Sequence, residues 1–157
     1  MHVGDLGRGA LAGAVGTLAL QVATYTDMLV RGRPASQMPA KAAAKMAGFV
    51  GVDLQGDDQA TTNRREAVGT LFGYGAGVGV ATACAAFVPG VLRRSVVAGG
   101  ALLGAAAMAG ADAPLVGFGL TDPRKWPASS WAADVVPHAL YGVATVAAFQ
   151  SFDRRSR

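Results

Sequence analysis

AVGTLFGYGAGVGVATACAAFV, residues Ala67–Val88, contains no charged side chain. As a helix it rises about 1.5 Å per residue, enough to cross the roughly 30 Å of a bilayer's hydrocarbon core. Arg64, Arg65 and Glu66 bound it on one side, and Arg93 and Arg94 lie just beyond the other. Three more runs of similar length flank it. Gly9–Val30 precedes it, Ser95–Gly117 follows with only Asp112 as an interruption, and Ala132–Phe152 comes last. The spacing predicts four membrane spans, at about 9–30, 67–88, 95–117 and 132–152, within one domain over residues 1–157. Lipid supplies no partners for backbone N–H and C=O groups, so the expected fold is an all-α integral membrane bundle of four transmembrane helices. The short turn Pro89–Arg94 further predicts that spans two and three pack as an antiparallel hairpin.

The composition agrees. Of 157 residues 52% are hydrophobic and 15% charged, against about 25% charged in a soluble domain. The net charge of +4 does not form a nucleic-acid footprint. Its arginines and lysines fall between the apolar runs as pairs and a basic tail, the punctuation of membrane helices. The expected partner is therefore the lipid bilayer and not nucleic acid. Cys84 is the sole cysteine, which excludes an intramolecular disulfide. The N-terminal run is as long as a span and has no small-residue cleavage site after it, unlike a cleaved signal.

Glycines recur at contact spacing. Gly69, Gly73 and Gly77 form one line in span two, with Gly75 and Gly79 on an adjacent line. Gly9 and Gly13 do the same in span one, and Gly100 and Gly104 in span three. Small residues four apart let helix backbones approach closely. Packing within the chain and a homo-oligomer interface on span two are both compatible with this spacing.

The connection 31–66 contains its own helix signal. Ser36 and Pro39 start a segment in which Ala42, Met46 and Phe49 share one face and Lys41 and Lys45 another, as in a short basic amphipathic helix on a membrane surface. Gly56, Asp57 and Asp58 read as a turn.

Four antiparallel spans bring alternate ends together. One end collects Asp27, Arg64, Arg65, Asp112, Asp134, His138 and Tyr141, with Gln21 and Tyr25 deeper, while the opposite end carries mostly basic caps. Pro114 and Pro137 each remove a backbone donor at that depth. Ionisable groups and interrupted backbone inside a span are costly unless they line a site or water. Asp112, Asp134 and His138 are thus the leading residues for binding a proton, an ion or a small polar ligand. Asp27, Arg64 and Arg65 are their expected partners, with Tyr141 one turn further in. The bland alternative is an acid that orients a structural histidine at a helix start. Asp27 and Arg31, four apart, also suit an interfacial ion pair. Trp126 and Trp131 suit interfacial anchors.

No catalytic pattern is present: there is no HExxH, GxSxG or Walker loop, and GTLFGYGAGVG lies inside an apolar run without a preceding strand. A metal site lacks a second histidine or a cysteine. No catalytic residue, metal or cofactor is expected.

Pro114-Leu115, Gly119-Leu120-Thr121, Pro123, Trp131, Asp134, His138 and the basic tail resemble the YagU-like family of small bacterial inner-membrane proteins. Asp27 followed by the turn Arg31–Ser36 is a second, looser echo. The resemblance implies a multi-span inner-membrane protein linked to acid tolerance, with both termini cytoplasmic and no agreed enzymatic activity. Asp112 and the helix after span one lie outside it. His138, changing charge between about pH 5 and 7, would supply the link to acid. The alternatives are an oligomeric small transporter or channel, a lipid-headgroup enzyme, and a subunit of a larger membrane complex.

Overall fold

The computed structural model describes residues 3–54, 56 and 58–155, the side chains of Val3 and Arg155 excepted. Asp57 of the expected turn and Arg157 of the basic tail lie outside the described residues. The described elements are all helical: α1 Val3–Arg31, α2 Met38–Phe49, α3 Gln59–Phe87, the single turn α4 Pro89–Leu92, α5 Val96–Gly117 and α6 Ala128–Arg155, with a 3-10 turn at Pro123–Lys125. No strand occurs among the described residues. α1, α3, α5 and α6 are long and apolar enough to cross a membrane.

Caps set the ends. α3 begins well before its apolar run because the Asp58 carboxylate accepts a hydrogen bond from Thr61 N at 3.0 Å. Ser95 Oγ does the same for α5, accepting from Ala98 N at 3.2 Å. Such caps satisfy amides that a helix start leaves unpaired. α2 and α5 end alike. Gly51 and Gly119 have positive φ, and the amides that follow reach back, Val52 N to Ala47 O and Leu120 N to Leu115 O. This is the left-handed glycine termination that spends otherwise orphaned carbonyls.

The helices stand in the lateral order α3, α1, α6, α5. The extensive contacts are α1 on α3, α1 on α6 and α5 on α6, while α3 and α5 share only a small contact. The expected hairpin of spans two and three is therefore not what forms. The reason is where the close approaches fall. A Cβ on Gly100 would lie 2.8 Å from Val143 Cα, and one on Gly104 only 2.5 Å from the His138 carbonyl oxygen, so α5 spends its smooth face on α6. Gly142 meets the Gly100 backbone from the other side. On α1, a Cβ at Gly9 would lie 2.7 Å from Ala85 Cβ and one at Gly13 2.8 Å from Ala81 Cβ, which commits the smooth face of α3 to α1.

The core runs along this row, with Ala12, Cys84, Ala85, Leu92, Leu103, Tyr141, Val146 and Phe149 buried together. α2 lies on α3, but through Ala40, Ala43 and Ala44. The face with Met46 and Phe49 points outward, and Lys41 and Lys45 are exposed. The outside of the row is strongly apolar. Leu18, Leu29, Leu71, Phe87 and Val97 are all exposed.

Candidate functional site

The close packing of α5 on α6 fixes the site. The two helices run antiparallel, with residue 100 opposite 143 and residue 104 opposite 138 and 139. About two turns beyond Gly104 the same seam carries Asp112, and on α6 the Asp134 side chain stands near it, about a turn out of strict register. The Asp112 and Asp134 carboxyls are within hydrogen-bonding reach, and His138 faces them. His138 Nδ1 lies 3.1 Å from Asp134 Oδ1 and 2.9 Å from the Asp134 carbonyl. Both side chains are largely enclosed, at 14% exposure for His138 and 23% for Asp134.

Asp134 Oδ2 is buried and accepts no hydrogen bond. A buried acceptor without a donor is costly. A protonated carboxyl at Asp112 is one donor that such a pair could supply. α5 and α6 both continue as helix through Pro114 and Pro137. The site is built on unbroken rods.

The structure corrects the wider constellation. Asp27 is taken by a two-point contact from Arg31, at 2.7 Å on each oxygen, and by Arg33. Arg31 also donates to Ser129 O at 3.2 Å, tying the end of α1 to the start of α6. Arg65 donates to Leu54 O and Thr62 Oγ1, and Arg64 is exposed. Among the described residues no arginine pairs with Asp112. Arg64 and Arg65 are held at the polar start of α3 by its cap, away from the α5–α6 seam. Tyr141 also leaves the constellation. It is 1% exposed, in the core, and its hydroxyl donates to Gly77 O at 2.6 Å. One turn beyond His138 the helix face has rotated from α5 toward α1 and α3. Of the packing glycines, Gly69 meets Pro39 and Ala40 of α2, Gly77 meets Thr17 of α1, and Gly73 faces open space.

Trp126 and Trp131 pack edge to face at 5.2 Å between ring centres, and Trp126 Nε1 donates to Thr121 Oγ1 at 2.7 Å. They stiffen the connection that delivers α6 to α5. No group of three or more histidine, cysteine or acidic residues suited to a metal occurs among the described residues.

A second polar network, which the sequence reading missed, occupies the opposite end. Asp5 is buried, receives Arg93 Nη2 at 3.1 and 3.2 Å and Arg8 Nη1 at 3.0 Å, and Arg8 also reaches Asp153 at 3.2 Å. That end is an ion network and not merely a set of basic caps. The one available signal was Asp5 and Arg8 at i, i+3, just ahead of the first apolar run. The chain thus falls in the class of all-helical proteins with four potential membrane spans and a carboxylate–imidazole site between two of them. It matches no known protein family, curated protein or solved structure.

Proposed function

We propose that this chain is a small multi-pass inner-membrane protein whose α5–α6 site takes up a proton, or a small cationic or polar ligand in its place, in acid or envelope homeostasis. The observation that carries the reading is Asp134 Oδ2, a buried oxygen with no donor, on a carboxyl that interacts with Asp112 and is backed by His138. Two carboxyls and an imidazole can hold one or two exchangeable protons without backbone movement. Large exposed apolar side chains along all four long helices support lipid as the surrounding medium. Arg93 and Arg94 in the short α4–α5 turn favour cytoplasmic termini, and with that orientation the Asp112 site would face outward.

The test is infrared difference spectroscopy of the reconstituted protein between neutral and acidic pH. A protonated-carboxyl band should appear in the wild type, vanish in Asp112→Asn and shift its pH dependence in His138→Ala. Identical spectra and identical acid survival in all three would make the cluster structural.

A second reading, an oligomeric transporter or channel built through α3, rests on its outer face. Gly73, Gly75 and Gly79 meet nothing there, beside an open apolar groove of about 470 Å³ lined by Val68, Leu71, Phe72, Gly75 and Ala76. Native mass measurement discriminates: if Gly75→Leu leaves the assembly state of the wild type unchanged, this reading fails.

A further inference from the structure

The end of the molecule opposite the Asp112 site contains a cleft of about 330 Å³ lined by Arg93, Gln150, Asp153 and Arg154. We propose that it is a phosphate site that takes the headgroup of an anionic phospholipid. The proposal rests on the membrane reading above but uses none of the Asp112 site.

The cleft is held open by the fold. Gln150 Nε2 donates to Leu92 O at 3.1 Å and to Arg94 O at 2.6 Å, which clamps the α4–α5 turn onto α6. Arg93 is fixed at both ends of its guanidinium. Its Nη2 is spent on the buried Asp5, and its ring-facing side lies over Phe149, with Cζ 5.7 Å from the ring centre. That geometry suits a cation–π contact. It leaves Arg93 Nε and Nη1 without a hydrogen bond among the described residues. Arg154 stands across the cleft, exposed, and makes no ion pair among the described residues.

Asp153 shares the wall but is neutralised by Arg8. Among the described residues the cleft therefore presents one pre-aimed guanidinium and a second without an ion pair, with the carboxylate of its lining already answered. Guanidinium forks match phosphate oxygens. Basic pockets between helix ends at a membrane surface are where lipid headgroups bind.

The full chain, purified in neutral detergent, is examined by native mass spectrometry with phosphatidylglycerol, phosphatidylcholine or inorganic phosphate. Arg93 holds a buried acid, so Arg154→Gln is the test variant, and Arg124→Gln on the far connection removes the same charge elsewhere. The expected result is preferential retention of phosphatidylglycerol, weakened about fivefold by Arg154→Gln, the share of one juxtamembrane cation, and unchanged by Arg124→Gln. Binding of inorganic phosphate with the same Arg154 dependence, and none of the lipid, would keep the phosphate chemistry and make its source the free ion. Equal retention of both lipids, or equal weakening by both variants, overturns the site alone. Retention of neither lipid and no phosphate binding overturns the site and the membrane reading together.

Discussion

Adding one methyl group at Gly104 should damage both the fold and the Asp112 site. A Cβ there would lie 2.5 Å from the His138 carbonyl oxygen and 3.3 Å from Ala139 Cα. Ordinary carbon–oxygen contact needs about 3.4 Å or more, and the obstacle is helix backbone, which cannot rotate away. α5 and α6 must separate by about 1 Å, or slide. Overpacking a filled interface costs about 1–3 kcal/mol. Gly110, on the same helix, faces open space, so Gly110→Ala incurs no clash and gains helix propensity. The two variants, unfolded by SDS titration in mixed micelles, should differ by about 1–3 kcal/mol, with Gly104→Ala the weaker. Gly104→Ala should also blunt the carboxyl response of the Asp112 site, because the displacement falls two turns from Asp112. If Gly104→Ala and Gly110→Ala were equally stable, the α5–α6 seam would not be a backbone contact, and the derivation of the site from it would fail.

Tyr141→Phe keeps the buried ring and removes the hydroxyl that Gly77 O accepts at 2.6 Å. It should cost about 1 kcal/mol in the same titration, whereas Tyr25→Phe, exposed, should cost nothing measurable. Asp5→Asn weakens the charge-assisted bonds from Arg93 and Arg8 and should cost about 2 kcal/mol. Lys125→Gln breaks only an exposed pair at 3.8 Å and should be neutral. Hydrogen bonds from the Thr61 side chain and then its backbone hold the Asp58 carboxyl below the usual carboxylate range. Its folded value is depressed, so its cap stabilises α3 above the ordinary value near 3.8 and is lost as pH falls through the lower folded one. Amide exchange at residues 60–62 should accelerate across that acidic window in the wild type and lose that pH dependence in Asp58→Asn.

The helices were legible in the sequence because strongly apolar runs of span length leave few alternatives. Asp134 and His138 were legible as a pair because four residues apart is one turn, and Asp112 joined them through antiparallel alternation. The lateral order of the helices was not legible. Gly73, Gly77, Gly100 and Gly104 look alike in the sequence, and only the partner's shape decides which meet backbone and which face open space. Tyr141 was misplaced because axial depth was read without helix rotation: three residues past His138 the side chain points at a different neighbour. Asp5 was passed over because it precedes the apolar run, yet α1 begins ahead of that run and carries it into the packed end.

The order α3, α1, α6, α5 also constrains synthesis. α1 is made before either helix it packs on, and α6, the last of the four, supplies one whole side of it. Until α6 emerges, α1 can rest only on α3, and α5 has almost no one to lean on. A nascent chain stopped after α5 would thus hold half-finished interfaces with glycine-smooth backbones uncovered. Ribosome-stalled or truncated forms that lack α6 should be the ones that quality control removes, and forms that include it the first to escape.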